Sequence, residues 1–255
     1  MSVKVCILRT AGTNCDVETA FAFEKAGAEA EFVHINRLLE GEASLTNYQI
    51  LAIPGGFTYG DDIAAGKILA NELRCGLGDM LREFIEAGGS ILGICNGFQV
   101  LAKTGLLPWP SAESTQSVTL TINDSAKFED RWVYLAAPES RCIFTAGVSG
   151  MYLPVAHAEG KFVAADDVVD EIRRNKQVVF RYVNESGKPA GYPYNPNGSV
   201  DDIAGICDST GRILGLMPHP ERHVLGYQHP RWTREGARAE GDGMAIFTNA
   251  VSYYR

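Results

Sequence analysis

Hydrophobic and polar positions in the first hundred residues alternate between two patterns. Short apolar runs typical of buried strands are separated by longer segments in which apolar residues recur at helical spacing. Strands are predicted at 3–8, 31–35, 50–53 and 90–94, and helices at 14–26 and 69–87. Such alternation predicts a doubly wound α/β fold, with a mostly parallel central sheet and flanking helices. Ligands are then expected at the carboxyl ends of the strands.

The pattern becomes richer in β structure from about residue 115 to residue 218. Strands are predicted at 118–122, 132–136, 161–164, 178–183, 203–207 and 213–217, and helices at 166–174 and 242–254. No internal repeat, low-complexity linker or second domain boundary interrupts the chain. We therefore expect residues 1–255 to form a single domain with extra β-rich segments in its second half.

Composition narrows the class of protein. A net charge of −8 and an isoelectric point near 5.2 argue against a nucleic-acid partner. No apolar run approaches the roughly 18 residues of a membrane span, and the amino terminus lacks a signal pattern, so a cytoplasmic protein is expected. The six cysteines form no C-x-x-C pair and no close Cys/His cluster, so no metal site is predicted. Cys15 is interpreted as a packing or loop residue.

One cysteine stands where a nucleophile would. Cys95 lies between Gly93 and Gly97, after a predicted strand and before a helix-like run. In the G-x-S-x-G elbow, small residues flank a sharp strand-to-helix turn that exposes the nucleophile and frees the next backbone N–H. Taken alone, a cysteine in such a pattern is more often a buried core thiol.

A cysteine nucleophile needs a base, and the base needs a group that orients it. His219 and Glu221 supply both, on either side of Pro220. Because Pro220 disfavours a helical conformation for His219, we predict an extended segment whose residues i and i+2 project to the same side. Taken alone, this segment is a surface turn. Together with Cys95 it predicts a catalytic triad.

Attack on an amide carbonyl also needs donors for the oxyanion. The backbone N–H of Asn96 is the first candidate. The second is an N–H of the loop Gly55–Phe57, which follows a predicted strand. Without a catalytic role, this loop would simply be a tight turn between a strand and a helix.

The order and spacing of these three motifs along the chain, first the 54–56 turn, then the elbow 93–99 and then the segment 219–221, resemble those of the class I glutamine amidotransferases, whose fold is flavodoxin-like. Within that class, five segments resemble the glutaminase components of phosphoribosylformylglycinamidine synthases, which act in purine biosynthesis. The segments are 54–61, 94–99, 154–160, 195–199 and 217–222. The resemblance extends from about residue 3 to residue 253.

The resemblance implies a glutaminase half-reaction. Cys95 would attack the side-chain amide of glutamine, and His219 would pass its proton to the leaving ammonia. Water would then hydrolyse the thioester to glutamate. The resemblance also places Gln99 and the loop His157, Ala158 and Glu159 in the glutamine pocket.

The resemblance further implies a large synthase subunit, which uses ATP and Mg²⁺ to aminate formylglycinamide ribonucleotide, and allows a small bridging subunit. This chain is expected to bind no cofactor. Gly66 and Lys67 might suggest a P-loop, but Ile68 follows where Ser or Thr is needed, and Asp61 replaces the first glycine. His223 and His229, in a polar stretch after the triad segment, are predicted partner contacts.

Two alternatives remain at this point. One is another cysteine hydrolase on the same fold, such as a γ-glutamyl hydrolase or a glutaminase that serves a different synthase. The other is a regulatory or scaffold subunit that keeps the fold without the reaction. The pathway-specific segments argue against the first alternative, and the intact Cys95, His219 and Glu221 argue against the second.

Overall fold

The computed structural model describes residues 2–110 and 115–255. Met1 and residues 111–114, which belong to the predicted 1–255 domain, lie outside the described residues. The strands are β1 (Lys4–Arg9), β2 (Glu29–His34), β3 (Ile50–Ile53), β4 (Ser90–Ile94), β5 (Val118–Thr121), β6 (Glu129–Ala136), β7 (Gly150–His157), β8 (Lys161–Ala164), β9 (Val178–Val183), β10 (Ile203–Cys207) and β11 (Ile213–Leu216). The helices are α1 (Asp16–Lys25), α2 (Ile35–Leu39), α3 (Lys67–Gly76), α4 (Gly78–Glu86), α5 (Asn96–Thr104), α6 (Asp166–Arg174), α7 (Trp232–Glu235) and α8 (Met244–Ser252).

A nine-stranded central sheet has the order β2-β1-β3-β4-β11-β10-β9-β6-β7. The strands from β2 to β11 pair in parallel, and those from β11 to β7 pair antiparallel. Strands β5 and β8 form a separate antiparallel pair. The predicted α/β sheet with flanking helices is confirmed. The β-rich second half of the chain extends this sheet with antiparallel strands.

The sheet is buried where the reacting groups are expected. All residues of β3, β4 and β11 are buried, as their continuous apolar sequences require of strands covered on both faces. Helix α5 packs closely on this part of the sheet. A Cβ on Gly215 of β11 would lie 2.2 Å from the Phe98 ring of α5. This contact leaves α5, and the turn that precedes it, little freedom to move.

Some of the predicted elements were wrong. Strand β2 ends at His34, because the His34 side chain accepts a hydrogen bond from the Asn36 N–H and caps α2. The predicted helix 69–87 is two helices, α3 and α4, which meet at Leu77, where φ is −123°. Strand β7 was not predicted at all. Within 2–110 and 115–255, no helix has the length and apolar character needed to cross a membrane.

Candidate active site

Cys95 occupies a strained turn between β4 and α5. Its φ of 52° and ψ of −104° lie outside the regions that non-glycine residues favour. The flanking glycines make the turn possible, since a Cβ on Gly97 would lie 2.0 Å from the Ile53 carbonyl oxygen. A Cβ on Gly93 would lie 2.7 Å from the Gly97 carbonyl oxygen. The strand–turn–helix context expected of a nucleophile elbow is therefore present.

The register between β4 and β11 brings the base toward the nucleophile. Ile94 pairs with Leu216, and the Cys95 N–H donates to the Leu216 carbonyl at 2.8 Å. The chain then continues from β11 to His219, whose N–H donates to the Pro154 carbonyl at 2.8 Å. Cys95 and His219 thus leave neighbouring parallel strands at the same end of the sheet, and both line one cavity.

His219 and Glu221 form a buried pair. The Nδ1 atom of His219 lies 2.5 Å from Oε1 of Glu221, and each residue is only 1% exposed. Burial on its own would lower the pKa of His219, but Glu221 and Cys95 outweigh burial and raise that pKa well above its usual value. The pair therefore makes the imidazole a stronger base, which suits a group that must take a proton from a thiol.

The predicted extended conformation of the triad segment was wrong beyond His219. His219 is extended, with φ −103° and ψ 91°, but Pro220–Arg222 forms a 3₁₀ turn. The fixed φ of proline suits the first position of a helical turn as well as an extended chain. The turn curls Glu221 back toward the imidazole.

Backbone geometry singles out two oxyanion donors. The Gly55 carbonyl accepts from the N–H groups of Asn14 (3.3 Å) and Cys15 (3.1 Å), so the Gly56 N–H of the same planar peptide points the opposite way. The Phe57 N–H is occupied by the Gly12 carbonyl at 2.9 Å. The Asn96 N–H is the first of α5 and has no acceptor within the helix. Gly56 and Asn96 therefore supply the two candidate donors.

A cavity of about 250 Å³ opens on the nucleophile. Its lining comprises Asn14, Cys15, Gly56, Phe57, Cys95, Phe128, Asp130, Ala156, His219 and Arg222. The sequence interpretation missed Cys15, Phe128 and Asp130 as lining residues. They come from the turn after β1 and the start of β6, far from the triad motifs in sequence, so no local signal marks them.

Gln99 and Glu159 lie in a hydrogen-bonded network behind the elbow. The Gln99 Nε2 donates to the Glu159 carbonyl at 2.6 Å, and its Oε1 accepts from Asn96 Nδ2 at 2.9 Å. The Asn96 Oδ1 in turn accepts from the Thr58 hydroxyl at 2.7 Å. This network ties the first turn of α5 to the loop after β7. Ala158 lies exposed in that loop.

His157 is buried and points away from the cavity lining. Its Nδ1 lies 3.2 Å from Oδ1 of Asn123, and its neighbour Ala156 lines the cavity instead. Burial, reinforced by nearby His219, lowers the pKa of His157 to about 3, so the ring is neutral at physiological pH. A glutamine-binding role for Gln99 and for residues 157–159 stays a prediction.

One group of side chains in the described residues has the donors and spacing for a metal ion. A sulfur of Cys15, a ring nitrogen of His219 and a carboxylate oxygen of Glu221 all lie within 4.8 Å of one another. The sequence predicted no metal site because Cys15 is far from His219 and Glu221 along the chain.

The comparison with known families decides the class of protein. A model of the CobB/CobQ-like glutamine amidotransferase domain matches residues 2–254. This chain belongs to that glutamine amidotransferase family. The amidotransferase is 55% identical to a protein of Dehalococcoides mccartyi, phosphoribosylformylglycinamidine synthase subunit PurQ, over 99% of this chain and 98% of that protein. It is 45% identical to a protein of the same name from Methanococcus maripaludis, over 98% and 97% of the two chains.

Solved structures agree with this assignment. A chain in the structure of PurLQS from Thermotoga maritima superposes on the amidotransferase with a TM-score of 0.76 and 31% identity, covering all of both chains. A glutamine amidotransferase from Thermotoga maritima shares the fold, with a TM-score of 0.52 and 17% identity, over 91% of this chain and 81% of that one. The observed sheet is thus one that glutamine amidotransferases adopt.

Proposed function

We propose that this amidotransferase is the glutaminase subunit of a phosphoribosylformylglycinamidine synthase. It hydrolyses glutamine to glutamate and ammonia, and the ammonia is used to aminate formylglycinamide ribonucleotide in de novo purine biosynthesis. Full-length identity of 55% and 45% to proteins of that name supports the proposal. The resemblance of the sequence segments around Cys95, His157 and His219 points the same way.

The reaction begins with attack by sulfur. The Cys95 thiol transfers its proton to His219, and the sulfur bonds to the side-chain amide carbon of glutamine. The carbonyl oxygen becomes an oxyanion, which the N–H groups of Asn96 and Gly56 stabilise. One such donor typically contributes about 10²–10³ in rate. Glu221 accepts the Nδ1 proton of His219 in a hydrogen bond and so holds the ring orientation.

Collapse of the intermediate breaks the carbon–nitrogen bond. His219 gives its proton to the leaving nitrogen, which departs as ammonia, and Cys95 is left as a γ-glutamyl thioester. A water molecule then attacks the thioester while His219 takes one of the water's protons. Glutamate leaves, the sulfur regains a proton, and the site returns to its starting state. The raised pKa of His219 suits this alternation between acid and base.

The observation that carries this mechanism is the meeting of three distant segments in one place. A strained cysteine, a histidine held by a buried carboxylate, and a glycine loop with a free N–H converge on a single cavity. A structural thiol would need neither the strained φ of Cys95 nor a buried His219–Glu221 pair beside it.

We further propose that the ATP and Mg²⁺ chemistry belongs to a large synthase subunit and that this chain binds no cofactor. A small bridging subunit completes the complex, which works in the cytoplasm. Two observations support this arrangement. The sequence from Asp61 to Ile68 fails as a P-loop, and the matching Thermotoga maritima chain comes from a structure described as PurLQS.

The test is an assay of glutamate release and of ribonucleotide amination, with and without the large subunit and its nucleotide substrates. Wild type is expected to hydrolyse glutamine slowly alone and faster in the complex, because a partner that gates the site prevents wasted ammonia. Cys95→Ala is expected to lose glutaminase activity but to support amination when free ammonia is added. Cys75→Ala is the matched control, since Cys75 is an exposed thiol.

Two results would contradict the proposal. Glutamate release by Cys95→Ala at the wild-type rate would show that Cys95 is not the nucleophile. Hydrolysis of γ-glutamyl peptides without hydrolysis of glutamine would favour a γ-glutamyl hydrolase instead.

A further inference from the structure

A second thiol lies beside the catalytic imidazole. Cys15, the residue that precedes α1, is 1% exposed and lines the same cavity as Cys95. A Cβ built on Gly55 would lie 3.2 Å from the Cys15 sulfur and 2.8 Å from Cε1 of His219, so both side chains crowd around one glycine. The proposed glutaminase mechanism uses Cys95 and leaves Cys15 without a role.

Two polar atoms beside this thiol lack partners. Among the described residues, none forms a hydrogen bond with Nε2 of His219 or with Oε2 of Glu221, although both atoms are buried. His219 is only 1% exposed but lines the cavity, so an ion that enters the cavity can contact its ring. Buried polar atoms in folded proteins are usually satisfied, and unsatisfied ones at a site often await an ion or a water molecule.

We propose that Cys15, His219 and Glu221 form an inhibitory binding site for a thiophilic divalent cation such as Zn²⁺. Sulfur, imidazole nitrogen and carboxylate oxygen are the donors that Zn²⁺ prefers, whereas Mg²⁺ and Ca²⁺ prefer all-oxygen sites. The three donor atoms already lie within 4.8 Å of one another. Tetrahedral coordination with bonds of about 2.0–2.3 Å needs donors roughly 3.5 Å apart, so side-chain shifts of about 1 Å suffice.

Arg222 occupies two of the proposed ligands and competes with a cation for them. Its Nη2 donates to the Cys15 sulfur at 3.1 Å, and its Nε lies 3.8 Å from Oε1 of Glu221. The Arg222 side chain is 36% exposed and can swing toward solvent when a cation takes its place. The ion displaces to solvent both the Cys15 proton and the His219 proton that faces Glu221, because a metal ligand must be deprotonated. Because the guanidinium competes with the ion for these ligands, binding of the ion is reversible, as regulation requires.

Binding of the ion and catalysis exclude each other. A cation that occupies the His219 lone pair, or separates His219 from Glu221, removes the base that Cys95 needs. The chain would then release no ammonia while zinc is bound. This inference goes beyond the proposed function, because the site would bind metal whatever amide the enzyme hydrolyses.

The first test measures inhibition of glutaminase activity by Zn²⁺, with glutamate quantified directly. Each variant is normalised to its own activity without metal. Wild type and Cys75→Ala are expected to be inhibited at the same zinc concentration and restored by a chelator. Cys15→Ala and Cys15→Ser are expected to need at least about tenfold more zinc, since loss of a first ligand costs no less than loss of a supporting one. Equal zinc sensitivity in all four proteins would overturn the proposal.

The second test does not depend on activity. Co²⁺ bound to a thiolate gives a sulfur-to-metal charge-transfer absorption in the near ultraviolet, which reports the ligand directly. Cys95→Ala is expected to show this absorption and to gain thermal stability from Co²⁺. The double variant Cys95→Ala, Cys15→Ala is expected to show neither. Absorption that survives in the double variant, or that is missing from Cys95→Ala, would assign the metal to another thiol and refute the site.

Discussion

The parallel and antiparallel halves of the sheet make different contributions to this enzyme. The turns after β1, β3, β4 and β11 carry Cys15, Gly56, Cys95 and His219, all of which line the cavity. The antiparallel half, from β10 to β7, contributes wall residues such as Ala156 and a set of buried hydrogen bonds. Parallel strands deliver their carboxyl ends to one edge, so only that half can gather reacting groups from distant segments.

Even within the parallel half, two similar positions differ. Cys15 and Cys95 both immediately precede a helix that follows a parallel strand, and both are buried. Cys15 has an unstrained φ of −104°, whereas Cys95 has a φ of 52° and glycines on both sides. Position at a helix N-terminus is therefore common to both thiols, and backbone strain distinguishes the nucleophile.

The strongest test of this difference between the two halves of the sheet is a substitution in the active site, where the parallel strands end. Glu221→Gln is expected to lower kcat by about 10²–10⁴, because a neutral amide can hold the wrong tautomer of His219. Stability to urea is expected to change much less. The matched control is Glu240→Gln, since Glu240 is more than half exposed. A kcat within a factor of three of wild type would show that Glu221 does not orient the base.

A replacement next to the antiparallel half, at Asn123 after β5, is expected to affect stability first. The Asn123 amide donates to the Lys127 and His157 carbonyls and accepts from the Gly160 N–H, with distances of 2.8–2.9 Å. Asn123→Ala leaves the buried His157 carbonyl and Gly160 N–H without this partner and is expected to cost about 2–4 kcal/mol of unfolding free energy. Urea denaturation measures the loss, and Asn71→Ala, at an exposed site on α3, is the control.

Crowding at the glycine loop predicts an intermediate effect. Gly55→Ala places a methyl group 2.8 Å from Cε1 of His219, so the imidazole must shift while Glu221 holds its other side. We expect kcat to fall by about 10–100-fold, since misplacing a catalytic group by about 1 Å has costs of this order. Gly78→Ala, which meets nothing within 4 Å, is expected to leave steady-state kinetics unchanged.

The smallest expected effect concerns an ion pair of the antiparallel half. Burial would raise the pKa of Asp201, but hydrogen bonds and charges from Arg173 and Arg181 outweigh burial and lower it. The carboxylate thus contributes stability above its ordinary pKa of about 4, and the contribution is lost as pH falls through the lowered value.

Asp201→Asn is therefore expected to cost at most about 1 kcal/mol at pH 7, because Arg173 is largely exposed, and progressively less at acidic pH. Asparagine tolerates the φ of 54° at this position, so the backbone is not disturbed. Thermal melting as a function of pH measures the difference. A loss of thermal stability in Asp201→Asn that grows toward low pH would contradict this prediction.

Most of the parallel half could be predicted from sequence, because its strands are uninterrupted apolar runs that end in glycine turns. Strand β7 could not, since Pro154 interrupts its pattern and proline is rare inside sheets. Pro154 is tolerated because β7 lies at the edge of the sheet, and its carbonyl accepts a hydrogen bond from the His219 N–H. Cys15 was likewise missed as a cavity residue, because the contact that holds it, from Arg222, joins residues 207 positions apart.

The pairing of β4 with β11 also governs how such enzymes can diverge. The nucleophile and its base follow adjacent strands, although β5 to β10 lie between those strands in sequence. Four of these six strands, β6, β7, β9 and β10, extend the same sheet beyond β11. Changes of loop length between those six strands are expected to alter the separation of the reacting atoms less than a change in the register of β4 and β11 would.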